Sequence, residues 1–249
     1  MRMTRIRRRG FTLVELAMVL FIVSLLVGGL LVPLASQLES RQRNAALEQM
    51  EFIKEALIGF AIINGRLPCY TTQSNPAAST YGEEDVTCNP AGLAFDSDGD
   101  GENDDGILPW KTLGMASGLD PWGVQRTAAS DPWIGYWRYR VDTTFESTAP
   151  LFTLSDQSGE MSICDSNDAL LISVSERPVA VIYSTGANQT ADGQNASYET
   201  VLAPTSTCTP APTGPTYQGG EVSGGFDDVT VWLTRPMLFN RLVTAGTLP

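Results

Sequence analysis

The chain has 249 residues, 16 basic and 28 acidic side chains, a formal net charge of −12, four cysteines and no histidine. That length accommodates one anchor helix and one sizeable globular domain. The lack of histidine removes Ser-His-Asp and Cys-His catalysis and His-ligated zinc, and the acidic balance repels phosphate backbones, so no nucleic-acid partner is expected.

The first element is a junction. Arg7-Arg8-Arg9-Gly10-Phe11-Thr12-Leu13-Val14-Glu15 runs straight into an apolar stretch, and from Phe11 to Leu38 the sole ionisable side chain is Glu15. The three arginines hold the preceding segment on the cytoplasmic side of a membrane. Gly10 has no side chain to keep a protease from the bond after it. A carboxylate in a spanning helix costs about 2.5–3.5 kcal/mol on insertion scales and so marks function. An ordinary secretory signal carries its small-residue cleavage site after the apolar core, whereas Gly10 precedes it. A plain membrane anchor has no use for Glu15.

This order of basic leader, Gly, Phe-Thr-Leu-Val-Glu and apolar helix resembles the class III signal of type IV prepilins and type II secretion pseudopilins. The resemblance implies cleavage between Gly10 and Phe11 by a prepilin peptidase, methylation of the new Phe11 amine, and assembly with other pilin or pseudopilin subunits into a helical filament. In that scheme Glu15 pairs with the Phe11 amine of a neighbouring subunit and sets the register. The protein would sit in the inner membrane before assembly, N-terminus cytoplasmic and globular domain periplasmic, and then enter an extracellular pilus or a periplasmic pseudopilus. Loss of the five leader arginines leaves 11 basic against 28 acidic side chains, a formal −17.

The apolar stretch 11–38 exceeds the roughly 20 residues needed to span a bilayer. Gly28, Gly29 and Pro33 predict a kink or a melted stretch in its second half. Beyond it, Ala46, Met50, Ile53, Leu57, Phe60 and Ala61 recur at three- and four-residue steps among charged residues, which predicts an amphipathic continuation over 39–64. Asn64-Gly65 supplies the stop, with Pro68 close behind. One helix over these residues would be roughly 80 Å long. The predicted division is a leader 1–10, a transmembrane or filament-core helix 11–38, its amphipathic continuation 39–64 and a globular domain 65–249.

From Gly65 to about Pro132 turn dipeptides dominate, Asn75-Pro76, Asn89-Pro90, Asp120-Pro121 and Asp131-Pro132 among them. So long a connection points to function or to staples that hold it down. Strands are predicted at Ile134–Val141, Leu151–Leu154, Ala169–Val174, Val179–Tyr183 and Val229–Leu233. Ala203–Tyr217 is rich in Pro and Thr. A short helix is predicted from Met237 to about Thr244, with Pro236 in its first turn and Thr234 as a cap. Asp120-Pro121-Trp122-Gly123, Trp137-Arg138-Tyr139-Arg140-Val141, Ser184-Thr185-Gly186-Ala187-Asn188 and Phe226-Asp227-Asp228-Val229 resemble segments of the type II secretion major pseudopilin and its relatives. The implied fold class is α+β, a long N-terminal helix packed on an antiparallel sheet in a pilin-like lollipop with long loops.

Two groups of residues could hold a metal. Asp96, Asp98 and Asp100 alternate, Gly101 permits a sharp turn, Glu102 can offer its carbonyl, and Asp104 or Asp105 can close a shell of hard oxygens. The opening D-x-D-x-D-G matches calcium loops of the EF-hand kind, but Ile107 stands where such a loop closes with Glu, so a D-x-D-x-D-G-x-x-D loop fits better. One calcium ion is expected there; the competing reading is a solvated acidic turn. Asp192, Asp227 and Asp228, near Gly186–Asn188, form a second candidate whose spacing gives no fixed geometry. In the pseudopilin family, calcium is held by loops in this C-terminal part of the domain.

Cys69, Cys88, Cys164 and Cys208 all follow the apolar helix, which places them in an oxidising compartment if the Arg-rich end is cytoplasmic. Of the three possible connectivities, Cys69–Cys88 with Cys164–Cys208 closes two loops of modest length. Trp137 and Trp232 lie in predicted strands and are assigned to the core. Trp110, Trp122 and Trp133 follow prolines and either plug the loop layer onto the sheet or grip a ligand. Neither a nucleophile paired with a base nor a phosphate-cradling loop is present, so no enzymatic activity is expected. The expected function is a structural subunit of a type IV pilus-like or type II secretion pseudopilus filament. The alternative is a low-copy minor pilin acting as adhesin or receptor through the 65–132 loop region.

Overall fold

The computed structural model describes residues 12–86, 105–123, 135–146, 153–156, 161–173, 176–193, 195, 208, 215–220 and 225–248, with the side chains of 27–36 outside the description. The chain divides into two compact units, Met1–Gln42 and Arg43–Pro249, with helix α1 (Leu13–Asn64) contributing to both.

In the first unit the helix begins with a capping arrangement. Thr12 Oγ1 accepts the Glu15 amide at 3.2 Å, and the Thr12 carbonyl accepts Leu16 N–H at 3.1 Å. Thr-x-x-Glu is the spacing of a capping box, which satisfies amides the first helical turn leaves without partners. Leu13, Val14, Leu16, Met18, Phe21 and Leu25 are all exposed within the unit. The helix continues without a break through Gly28–Pro33, so the melted stretch is not seen. One proline removes only one donor, and the turns on either side carry the helix past it. Among the described residues no helix is long and apolar enough to cross a membrane.

In the second unit, α1 ends where Asn64-Gly65 predicts. Gly65 takes φ +67° and donates its amide to Ala61 O at 2.8 Å, while Asn64 Nδ2 donates to Phe60 O at 2.9 Å. Glycine reaches that left-handed conformation without a Cβ penalty. Among the described residues, four strands form an antiparallel sheet in the order β1 (Gly106–Ile107), β2 (Arg138–Val141), β4 (Pro178–Ser184), β6 (Val229–Thr234). Tyr139 faces Ile182, and Val181 faces Trp232. A two-stranded parallel sheet joins β3 (Ser162–Cys164) to β5 (Thr216–Gln218). Helix α2 (Thr143–Glu146) follows β2, and α3 (Arg235–Thr244) follows β6.

Side-chain alternation makes the main sheet the middle of three layers. Ala180 and Ile182 of β4 pack with Ala46, Met50, Ile53, Leu57 and Ala61 of α1 and with Leu238 and Leu242 of α3. Val181 and Tyr183 turn to the other face, against Met161, Ile163 and Tyr217 of the small-sheet layer. Each fully buried Leu or Ile contributes about 1.5–3 kcal/mol, so the helical stripe is the main adhesive of the first contact. Phe60 lies at the edge of that stripe, half-buried with Arg66 over its ring.

Several expected elements differ. The strand predicted at Ala169–Val174 is absent over its described part. Leu170 makes a single bridge to Cys164, because Asp165 Oδ1 accepts the amides of Asn167 and Ala169 and curls the chain into a turn. At Leu151–Leu154, residues 151 and 152 lie outside the described residues, and Thr153–Asp156 closes a turn by hydrogen bonding at 3.1 Å. Strands β3 and β5 were not expected. Thr234 occupies the cap position of α3 with a proline in the first turn, but its side chain makes no capping bond. Trp137 is fully buried, whereas Trp232 is half-buried against the small-sheet layer.

The long connection after α1 is stapled by an ion pair. Arg66 grips Glu84 with two nitrogens at 2.8 and 2.9 Å, and Glu84 Oε2 also accepts the Cys69 amide at 3.1 Å. Bidentate Arg–carboxylate pairs combine strength with fixed geometry. Trp110 is buried between Tyr81, edge-on at 4.8 Å, and Tyr136, stacked at 5.5 Å. It therefore plugs the loop layer and is not exposed to grip a ligand. Trp133 lies outside the described residues. Cys164 and Cys208 form a disulfide with Cα atoms 6.2 Å apart. Cys69 is also disulfide-bonded, and its expected partner Cys88 lies outside the described residues.

Candidate functional site

Strand pairing builds the site. The register places Ser184, the last residue of β4, opposite Val229, the first of β6. The turn leaving β4 therefore meets the two residues that precede β6, although they are some forty positions apart. Gly186 has φ +63°, and a Cβ there would stand 2.5 Å from the Asp227 carbonyl oxygen, so the turn can approach the 227–228 segment only as glycine.

The result is a convergence of Asp192, Asp227 and Asp228, with one carboxylate oxygen from each within 4.8 Å of the others. Each carboxylate is oriented by amides. Asn188 N–H donates to Asp227 Oδ2 at 2.8 Å. Asp192 Oδ2 accepts the Asn188 side-chain amide and the Asp227 backbone N–H, both at 3.0 Å. Asp228 Oδ2 accepts Asp192 N–H at 2.9 Å and Asn195 Nδ2 at 2.8 Å. Of the other oxygens, Asp227 Oδ1 and Asp228 Oδ1 are buried with no hydrogen-bond partner among the described residues. Asp228 is 1% exposed. A buried carboxylate oxygen without a donor is costly, and nearby like charges raise that cost.

The electrostatics agree with that geometry. Burial pushes the Asp228 carboxyl up to about 7, and Asp192 and Asp227 add to the rise against the donated Asp192 and Asn195 amides. Burial, then the neighbouring Asp192, also raises Asp227. Among the described residues, three carboxylates with two undonated oxygens and no nitrogen or sulfur ligand form a donor set suited to a hard divalent cation.

The turn is held from behind by the Asp120-Pro121-Trp122-Gly123 segment. Asp120 accepts Trp122 N–H at 3.0 Å and the Ser184 hydroxyl, whose oxygen in turn accepts Gly186 N–H at 3.1 Å. Gln189 Nε2 donates to the Trp122 carbonyl at 3.3 Å. Two segments quoted for the family resemblance, far apart in the chain, thus form one support.

The other expected site residues are placed unevenly. Gly10 and Phe11 lie outside the described residues, as do Asp96, Asp98, Asp100, Glu102 and Asp104. Asp105 is buried, with Oδ1 paired to Arg140 and Oδ2 accepting the Tyr217 hydroxyl at 2.8 Å. Its carboxylate is thus engaged by protein groups. Glu15 is exposed in the first turn of α1. Sequence reasoning missed Asn195 and the Asp120–Ser184 link. Asn195 begins a glycosylation-type tripeptide, Asn195-Ala196-Ser197, which says nothing of a side chain that is 1% exposed.

Residues 5–31 match the family model of the prokaryotic N-terminal methylation motif, the signal of type IV pilins and pseudopilins. The N-terminal segment therefore carries the signal expected from Arg7 to Glu15. No curated protein and no solved structure matches the chain.

Proposed function

We propose that the chain is a membrane-anchored subunit of a type IV pilus-like or type II secretion pseudopilus filament. In this reading a prepilin peptidase removes residues 1–10 and the Phe11 amine is methylated. The apolar half of α1 first lies in the inner membrane and then packs with copies of itself or related subunits in the filament core. One observation carries the reading: the methylation motif at 5–31 leads directly into a helix whose later residues pack on an antiparallel sheet. The exposed apolar side chains between Leu13 and Leu26 are consistent with a segment buried only by lipid or by neighbours. The role is assembly rather than catalysis, in keeping with the absence of histidine.

Glu15 is the register residue of the proposal. Its carboxylate would meet a neighbouring Phe11 amine in hydrocarbon, where either charge alone is penalised. Glu15→Val is expected to leave membrane insertion intact and to cut incorporation into filaments sharply, measured by comparing membrane and sheared-filament fractions. Normal incorporation beside wild-type subunits would contradict this role.

A divalent cation, calcium by donor type, is proposed at Asp192, Asp227 and Asp228. When bound it would neutralise the mutual repulsion of the three carboxylates. The reading is supported by the two buried Oδ1 atoms that have no donor among the described residues. The 96–105 loop stays a proposed calcium loop on its residue pattern. For the full chain in detergent, stripped of metal, calcium should raise the melting temperature, with about 2.7 kcal/mol expected at a hundredfold excess over Kd. Magnesium should act weakly because it demands a tighter octahedron. A melting curve of the wild type indifferent to millimolar calcium would overturn the calcium reading.

A further inference from the structure

Asn195 stands between the carboxylate cluster and the small parallel sheet. Its Nδ2 donates to Asp228 Oδ2 at 2.8 Å and to Thr230 Oγ1 at 3.3 Å, while its Oδ1 accepts the Gln218 backbone N–H at 2.8 Å. Asp228 needs a donor and the Gln218 amide needs an acceptor, so these partners fix which end of the amide faces which. Asn195 is 1% exposed. Its own amide donates to the Asp192 carbonyl at 2.9 Å, which ties it to a second member of the cluster. Gln218 is also close to Gly193, where a Cβ would lie 2.0 Å from Gln218 Oε1. Gln218 is the last residue of β5, in register with Cys164 of β3, and Cys164 is bonded to Cys208.

We infer that Asn195 is the positioning residue of the cation site and transmits its occupancy to the β3–β5 sheet. The inference rests on the cation reading of Asp192, Asp227 and Asp228. Without a cation, the repulsion among the three carboxylates acts on Asp228, and the amide that holds Asp228 is the same one that holds β5. With the cation, Asp228 is fixed, Asn195 is fixed by it, and the Gln218 amide keeps its acceptor. Coupling of this kind is reciprocal: an ordered β5 must favour cation binding by the same factor. Residues that orient metal-binding carboxylates without touching the ion typically change affinity 10–100-fold when removed.

The test uses the full chain in detergent, in a background of Asp98→Ala and Asp100→Ala that removes the 96–105 loop as a calcium site and otherwise counts as wild type. Calcium chloride is the probe, with titration calorimetry for affinity and hydrogen exchange read by mass spectrometry. In the wild type, calcium should slow exchange of the 215–220 segment by more than it slows 178–184 in the main sheet. Asn195→Ala should bind calcium at least about tenfold more weakly. Its 215–220 exchange should no longer respond to calcium when the site is saturated. Calcium binding to the wild type with equal slowing of both segments overturns the coupling and leaves the cation reading standing. Full affinity in Asn195→Ala overturns the positioning role. Absence of calcium binding in the wild type overturns both. If Asn195→Ala does not fold, the wild-type exchange comparison still decides the coupling.

Discussion

The Tyr217 hydroxyl donates to Asp105 Oδ2 at 2.8 Å across 112 residues of sequence, while Arg140 pairs with the other oxygen of the same carboxylate. Asp105 is the last acid of the Asp-rich stretch and the residue before β1, so this pair anchors the root of that stretch to β2 and β5. Tyr217→Phe should cost about 1 kcal/mol, the worth of one hydrogen bond. Asp105→Ala should cost about 3 kcal/mol, because it takes the carboxylate from the largely buried Arg140. Melting of the full chain with and without calcium checks this. The Asp105→Ala loss should be the same in both conditions, since the carboxylate serves Arg140 and Tyr217. A loss seen only with calcium would make Asp105 a ligand instead.

The Cys164–Cys208 bridge closes a separation of 44 residues and fastens β3 to the segment that precedes β5. Replacing both cysteines by alanine should destabilise the protein by about 2–5 kcal/mol. Non-reducing peptide mapping should recover one cross-linked pair joining these two cysteines. A peptide joining Cys164 to Cys69 or Cys88 would contradict the pairing.

Asp120 supplies a pH dependence with a definite sign. Burial raises its carboxyl above the ordinary range despite the Ser184 hydroxyl and the Trp122 and Gly123 amides. The folded state therefore holds the proton more tightly than the unfolded chain. That contribution is complete below the unfolded value, near about 4, and is lost as pH rises through the folded one. Asp120→Asn keeps an acceptor for Trp122 N–H and a group to meet Ser184 without the charge. Its melting temperature should gain on the wild type between pH 4 and pH 8. A constant difference across that range would show that Asp120 is not held toward its neutral form.

The features carried by contiguous residues were legible in the sequence. Arg7 to Glu15 place charge, glycine and carboxylate at fixed offsets from an apolar run, and residues 5–31 carry the methylation motif. Asn64-Gly65 marked the helix end because only a residue tolerant of positive φ fits there. Strands β4 and β6 emerged from apolar runs long enough to read. Strands β3 and β5 did not, since each has three residues and their parallel pairing is decided by distant packing on Val181 and Tyr183. The apolar run at 169–174 misled because Asp165 turns the chain before a ladder can form. Asp192, Asp227 and Asp228 could be suspected from composition, but their convergence depends on the β4–β6 register. Asn195 was illegible, because burial of a single polar side chain leaves no local pattern.

The most direct test is the N-terminus of the protein recovered from cells with an active prepilin peptidase. Intact mass and N-terminal sequencing should show a chain beginning at Phe11 with a methylated amine, and Gly10→Phe should block that processing. A protein that keeps Met1–Gly10 under those conditions would contradict the proposal that it is a pilin-like filament subunit.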